Sequence, residues 1–186
     1  MQLITYLKEK FRLSDDLLSQ IELVCSTKIF NKRDVILSPA RYSKHIFFIE
    51  KGLVRIFYEK TDKKITHYFC PENTFAAGSE SVFYNKLSQY GIEAIEQTEV
   101  TIIPFSVIEK LADESLAMNK VVQQILLDAL IGFSSRLHSM QFETAQERYQ
   151  KFLETNPEIL LRAPLGDIAS YLGISQQTLS VIRAGK

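Results

Sequence analysis

Apolar and polar positions alternate along the chain with two different periods, and the change of period divides the sequence into segments. From Leu3 to Val24 the apolar residues recur at the three- and four-residue spacing of a helix. Ser14 precedes Asp15 as a helix N-cap residue does. The first segment therefore predicts two short helices.

Between Lys28 and Phe105 the helical spacing gives way to short runs of β-branched and aromatic residues. Turn residues such as Lys51-Gly52 separate these runs. Many short strands at near-regular spacing are typical of a sandwich, barrel or roll, and not of a parallel sheet with crossover helices. The predicted strands cover residues 35–37, 46–49, 53–58, 65–69, 92–95 and 100–103.

Helical periodicity returns near Ser106, with a short helix expected over Val107–Ala112 and a long one over Leu116–Phe142. An apolar seam of the long helix repeats in steps of four and three, as in a coiled coil. We expect this seam to form the interface of a homodimer, while a second stripe, Val122, Ile125 and Ala129, packs on the strands. The alternative is an ordinary amphipathic core helix. The seam consists of Leu126, Leu130, Phe133, Leu137 and Met140.

The most specific motif is LGDIASYLGISQQTLSVIR, residues 165–183. Gly173 lies where the chain must turn between two short helices, a position that suits positive φ. Ala169 falls where the helices approach closely, and Ser175 can cap the second helix. These features predict a helix-turn-helix. The alternative is a plain helical hairpin with solvated glutamines.

The second helix of the motif is expected to be a DNA recognition helix. Glutamine can form two hydrogen bonds with adenine in the major groove, and the free N–H groups of a helix N-terminus can hold a phosphate. The candidate DNA-binding residues are Ser175, Gln176, Gln177, Thr178, Ser180, Val181, Arg183 and Lys186.

Composition narrows the function further. The 22 basic and 22 acidic residues leave no net charge, so any DNA contact must be local. Cys25 and Cys70 are the only cysteines, lie far apart and form no CxxC motif, which suits a reducing compartment better than a disulfide-bonded secreted domain. No run approaches the roughly twenty apolar residues of a membrane span. We expect a cytoplasmic protein with no membrane partner, in which a domain boundary separates residues 1–142 from the segment with the helix-turn-helix, 143–186.

Two strand segments and the helix-turn-helix together resemble the Crp/Fnr family of bacterial regulators. IFFIEKGLVRIFY, residues 46–58 with Gly52 at its turn, is similar to the β-roll signature of the family, and IEAIEQTEVTII, residues 92–103, to its later strands. The resemblance implies an α+β fold: an antiparallel, jelly-roll-like β-roll with flanking helices, a long dimerisation helix and a small all-α domain. It also implies a non-enzymatic transcription regulator that binds a pseudo-palindromic operator as a homodimer.

The segment that corresponds to the family's cyclic-nucleotide cassette departs from its pattern. Gly78 is retained, but Ser79 stands where the family has glutamate, with Glu80 one place later, and Ser88-Gln89 stand near the family's Arg-Ser pair. Without the arginine, a buried phosphodiester would lack its charge partner. We therefore expect no cofactor, neither cyclic AMP nor cyclic GMP as ligand, and an unidentified small-molecule effector. The candidate effector pocket consists of Gly78, Ser79, Glu80, Ser88, Gln89 and Tyr90.

The DNA-binding segment also departs from the family. Gln176 and Val181 stand near positions where many members have arginine, and the sequence stops at Lys186 without the usual β-hairpin wing. An effector-sensing or protein-interaction module with a degenerate helix-turn-helix that does not bind DNA is therefore the alternative function.

The remaining polar groups predict no further site. His45, His67 and His138 lack the paired spacing of metal ligands. Lys60, Lys63 and Lys64 are expected at a solvated hairpin tip, which could contact a partner such as RNA polymerase. Four tyrosines are candidates for the lining of the roll: Tyr42, Tyr58, Tyr68 and Tyr90.

Overall fold

The computed structural model describes residues 2–61 and 63–185. Its strands are β1 (Ser26–Phe30), β2 (Val35–Leu37), β3 (His45–Lys51), β4 (Val54–Lys60), β5 (Lys63–Cys70), β6 (Phe75–Ala77), β7 (Gly91–Ala94) and β8 (Thr98–Pro104). They form two four-stranded antiparallel sheets, ordered β1-β8-β3-β6 and β2-β7-β4-β5. The predicted antiparallel β-roll is confirmed.

Two helices precede the roll in the chain, one short helix lies between two of its strands, and the others follow it. They are α1 (Gln2–Phe11), α2 (Asp15–Val24), α3 (Ser79–Tyr84), α4 (Phe105–Glu114), α5 (Leu116–Phe142), α6 (Ala145–Thr155), α7 (Pro157–Arg162), α8 (Leu165–Leu172) and α9 (Gln176–Ala184). The predicted α+β class is confirmed, and α5 has the predicted bounds.

The sequence pattern did not identify β1 or β6. Most side chains of β1 are exposed, since only Phe30 is buried, so the strand carries no run of apolar residues. Strand β6 has three residues, which is too short for an alternating pattern to be visible.

The apolar core consists of three clusters. The first lies between one sheet and α1, α2, α4 and the beginning of α5, and it includes Leu3, Ile21 and Phe48. The second fills the roll around Ile49 and Ile92. The third joins the roll to the C-terminal helices and is described below.

Helix α5 leaves the core after its first third. Met118 and Val121 are buried, and Val122 and Ile125 pack against the first cluster, as the predicted second stripe requires. Ala129 is exposed, so its assignment to that stripe is wrong.

Among the described residues, α5 is the one helix whose length and composition would allow it to cross a membrane. This corrects the expectation that the sequence contains no such stretch. The charged residues Lys120, Asp128 and Arg136 interrupt its apolar runs. Length and composition by themselves are weak evidence for a membrane span.

Candidate nucleic-acid interface

The turn between α8 and α9 has the geometry that its sequence predicts. Gly173 adopts φ +69°, and its N–H donates to the Ser170 carbonyl at 3.1 Å. A Cβ at this position would lie 2.5 Å from Cε of Met140, the end of a flexible side chain that can move, so it is the positive φ that favours glycine here. Ser175 Oγ then accepts from the Thr178 N–H at 3.0 Å and caps α9.

Helix α9 is fixed through one side and presents the other to solvent. Leu179 is fully buried in the third cluster, and Ile182 packs against it. The candidate residues Ser175, Gln176, Gln177, Thr178, Ser180, Val181 and Arg183 are exposed, Val181 to 68%. Lys186 lies outside the described residues.

The exposed side chains of α9 differ in how far they are already engaged. Ser175 and Thr178 belong to the N-cap, and Ser180 Oγ donates to the Gln176 carbonyl. The side chains of Gln177 and Arg183 make no hydrogen bond to another described residue, which leaves them available to a ligand.

Helix α8 is attached to the roll by a group of charges that we call the buried charge cluster. Its centre, Arg55, Glu93 and Asp167, is buried, and the exposed residues Arg33 and Lys64 pair with this centre from outside. Arg55 on β4 lies 2.5 Å from Asp167 on α8 and 3.0 Å from Glu93 on β7. Arg33 lies 2.8 Å from Glu93 and 3.0 Å from Asp167. Arg55, Glu93 and Asp167 are all buried, so each charge depends on its partners for compensation.

Lys64 completes this cluster by pairing with Glu93. The expectation of a wholly solvated hairpin tip is therefore wrong for Lys64, whose ammonium group turns back over the ring of Phe57. Burial would raise the pKa of Glu93, but hydrogen bonds from Lys64 and Arg33 and the charge of Arg55 outweigh it. The pKa of Glu93 is held below its ordinary value.

Two further contacts join the C-terminal helices to the roll. The Thr66 N–H on edge strand β5 donates to Ser170 Oγ on α8 at 2.9 Å, so the helix satisfies part of an open sheet edge. Arg162 on α7 lies 2.7 Å from Glu72 and 2.6 Å from Glu96. The helix-turn-helix is thus docked on the roll as well as connected through α5.

Sequence analysis missed the buried charge cluster. Its five members come from five different strands, helices and turns of the chain, so no local spacing brings them together. A signal was present, however, because Arg55 and Glu93 interrupt otherwise apolar strand runs. Charged residues in such runs are seldom buried unless they are paired.

The apolar seam of α5 is accessible in the single chain. Its five predicted residues, Leu126, Leu130, Phe133, Leu137 and Met140, are 41–62% exposed. Leu127 and Ile131 lie beside the seam, are 51% and 66% exposed, and were not predicted. The apolar face is therefore broader than a strict heptad seam.

The structure divides the predicted effector pocket into two groups. Ser79 and Gln89 are exposed and do not face the roll interior. Gly78 and Ser88 are buried, and a Cβ on Gly78 would lie 2.8 Å from Ser88 Oγ. Glu80 directs Oε2 into the protein, where this atom has no hydrogen-bond partner among the described residues. The carboxylate that a ligand could contact in this pocket is therefore that of Glu80, one position after Ser79.

Tyr90, the last pocket residue, begins a row of rings that leads towards α5. Its ring lies 4.6 Å from Tyr58 and 5.4 Å from His67, which stacks in turn on Phe133 of α5 at 5.4 Å. Burial and the charge of Arg136 lower the pKa of His67, which favours its neutral form. Tyr42 is 61% exposed, so its predicted place in the roll lining is wrong.

Metal-ligating groups do not cluster within the part of the chain that the structure describes: no three His, Cys, Asp or Glu side chains lie together. Both cysteines are free thiols. Burial raises the pKa of Cys25 to about 11 and that of Cys70 to about 12, so both are protonated near neutral pH.

Comparison with known proteins agrees with this architecture. Residues 27–115 match the cyclic nucleotide-binding domain family. No curated protein sequence matches the chain significantly.

Solved structures extend the likeness beyond the roll. FixK2 from Bradyrhizobium japonicum is 20% identical with a TM-score of 0.76, over 87% of this chain and 84% of FixK2. A protein from Eubacterium rectale assigned to the Crp/Fnr family of transcriptional regulators is 16% identical with a TM-score of 0.75, over 96% and 85%. CLP, a c-di-GMP responsive global regulator from Xanthomonas campestris, is 14% identical with a TM-score of 0.72, over 92% and 91%.

Proposed function

We propose that the protein is a cytoplasmic, homodimeric, DNA-binding transcription regulator, because residues 27–115 match the cyclic nucleotide-binding domain family and the chain shares its fold with FixK2 and with a protein assigned to the Crp/Fnr transcription regulators. The proposal divides the chain into a sensor domain, 1–142, and a DNA-binding domain, 143–186. It assigns no catalytic step to the protein.

The observation that carries the proposal is the exposed face of α9. The turn, the N-cap and the buried Leu179 fix the helix, while Gln177 and Arg183 extend from it without partners. A helix held in this way can enter a major groove with its N-terminal residues directed at base edges. Gln177 is assigned to base reading and Arg183 to the DNA backbone.

Dimerisation supplies the second half-site. The exposed apolar face of α5, which includes Leu130, Leu137 and Ile131, is assigned to the interface with a second copy. Two α9 helices related by a twofold axis would read a pseudo-palindromic operator. The centres of its two half-sites would lie about one turn of the DNA helix apart.

Effector sensing is assigned to the roll, with a ligand other than a cyclic nucleotide. Glu80 is directed inward, but Gln89 is exposed and Ser88 is bonded to the Tyr90 backbone, so neither replaces a cationic phosphate partner. Calorimetry with cyclic AMP and cyclic GMP should therefore show no saturable heat at micromolar concentration. Tight binding of either nucleotide would disprove this assignment.

Lys60 and Lys63, at the exposed β4–β5 hairpin, are candidates for contact with RNA polymerase.

A mobility-shift titration on DNA from upstream of the protein's own gene tests the proposed function. We expect a retarded complex that survives competition by random DNA and is weakened by Gln177→Ala. Gln20→Ala, which changes an exposed glutamine on α2, is the matched control and should leave binding unchanged.

The alternative is an effector-sensing or protein-interaction module that does not bind DNA. The zero net charge favours it, because the chain has no overall basic field to attract DNA. Equal affinity for upstream and random DNA, or no complex with either, would support this alternative against our proposal.

A further inference from the structure

A cavity of about 250 Å³ lies where α5, α6 and α8 meet, outside the roll. Three cationic side chains, Arg136, Arg148 and Lys151, line it, and no aspartate or glutamate is among its lining residues. Phe152 and Tyr171 provide aromatic walls. The remaining polar lining is neutral: Ser135, Ser139, Thr155 and Asn156. The cavity is therefore positive and rich in hydrogen-bond donors.

The two arginines are held in place by the protein itself. Arg136 donates to the Tyr171 carbonyl at 2.7 Å and lies 4.0 Å above the Tyr171 ring. Arg148 donates to the Leu172 carbonyl at 2.9 Å and to the Glu143 carbonyl at 2.6 Å. Arg136 thus uses one N–H donor and Arg148 uses two, whereas a guanidinium group has five. Both groups are thus positioned and still have donors for a ligand.

Lys151 has a single carboxylate partner, Glu143, at 2.8 Å. The other oxygen of Glu143 accepts from Ser139 Oγ. Glu143 follows the last residue of α5 and does not itself line the cavity. Among the described residues Glu143 is the one carboxylate that pairs with a cation of the lining, so Arg136 and Arg148 have no carboxylate partner.

We propose that this cavity is a binding site for a small metabolite that carries a phosphate group. Two arginines, one lysine and neighbouring hydroxyl groups are the donors that bind phosphate oxygens best. The volume corresponds to about eight water molecules and lies just below the roughly 300 Å³ at which pockets for larger ligands begin. A phosphomonoester on a short carbon skeleton fits this space.

The position of the cavity gives the ligand a structural effect. Its walls belong to the long helix on one side and to α6 and α8 on the other. An anion bound between Arg136 and Lys151 would add contacts across this junction. Binding is therefore expected to raise the unfolding temperature, and the rise should grow with the logarithm of the ligand concentration once this exceeds Kd.

Calorimetric titration of the full chain with glycerol 3-phosphate tests the site, with glycerol and inorganic phosphate as separate arms. We expect saturable binding of glycerol 3-phosphate and no binding of glycerol. Weaker binding of inorganic phosphate would show that the carbon skeleton contributes, whereas equal binding would overturn the assignment to a metabolite. DNA is absent from the assay, so its outcome is independent of the proposed DNA binding.

Variants distinguish a built site from general attraction to positive charge. Lys151→Gln should weaken binding by about tenfold or more, the effect of losing a charge-assisted hydrogen bond. Lys110→Gln is the matched control, because Lys110 is also a helical lysine paired with a glutamate but lies away from the cavity. Glu143→Gln should tighten binding severalfold by releasing Lys151. No saturable binding, or equal effects of the two lysine variants, would overturn the proposal.

Discussion

The two surfaces that α5 and α8 present to their surroundings differ in how completely the chain itself covers them. Helix α8 meets the roll through buried apolar residues such as Ile168 and Leu172, and its Asp167 is paired with arginines. The outer face of α5 leaves Leu130 and Ile131 more than 60% exposed. The contact between α8 and the roll is therefore complete within one chain, whereas the outer face of α5 requires a second surface.

This difference favours separate roles for the two regions. The buried charge cluster fixes the orientation of α8 relative to the roll, because unpaired charges in its place would be costly. The exposed face of α5 consists of apolar side chains that continue along the helix. Such a face suits packing against the same helix of a second copy.

The largest effect is expected from placing charges on the outer face of α5. Leu130→Glu combined with Leu137→Glu should convert dimers into monomers. Each leucine buried in the interface contributes about 2 kcal/mol to the free energy of dimerisation, and each of the two leucines occurs twice in a symmetric dimer. Light scattering measures the change in mass. Leu23→Glu with Leu161→Glu is the matched control, since both leucines are highly exposed outside α5. A dimer that persists in the α5 variant would place the interface elsewhere.

A smaller effect is expected from opening the buried charge cluster. Asp167→Ala leaves Arg55 buried with one carboxylate fewer and should lower the free energy of unfolding by about 3–5 kcal/mol. Urea unfolding gives the value, and Asp113→Ala on the exposed side of α4 should change it little. Combining Asp167→Ala with Arg55→Met should restore part of the loss. If the two changes are additive, the charges do not act as a unit.

Single substitutions in the proposed recognition helix, α9, should each change DNA binding by the amount of one contact. Gln177→Ala should remove about 1–3 kcal/mol of discrimination at one operator position and have little effect on random DNA. Arg183→Ala should weaken binding to all sequences alike and reduce the salt slope by about one unit. Titrations at two salt concentrations separate these effects. Equal losses on every DNA for Gln177→Ala would exclude direct base reading by this residue.

The smallest effect is expected on the stability of the fold at low pH. The pKa of Glu93 is lower in the folded protein than in the unfolded chain, so the ionised carboxylate stabilises the fold at neutral pH. This stabilisation is present above the unfolded pKa and is lost as the pH falls through the folded pKa. Unfolding measured from pH 7 to pH 3 should show a steeper decline for the wild type than for Glu93→Gln. Parallel curves would show that Glu93 does not contribute.

The comparison also indicates what the sequence alone can predict. Local features were predictable: the Ser14 and Ser175 caps, the Gly173 turn and the length of α5 follow from residues close together in the chain. The cluster of Arg55, Glu93 and Asp167 was not, because its residues meet only after the roll has closed. The inward direction of Glu80, in place of Ser79, also depends on where α3 begins, which no local pattern specifies.

The central claim is that a dimer formed through α5 binds DNA through α9. Sedimentation equilibrium of the protein mixed with a duplex from upstream of its own gene measures this directly. The account predicts two chains for each duplex in the wild type, and loss of the complex in the Leu130→Glu, Leu137→Glu variant although that variant remains folded. One chain for each duplex, or an unchanged complex in the variant, would contradict it.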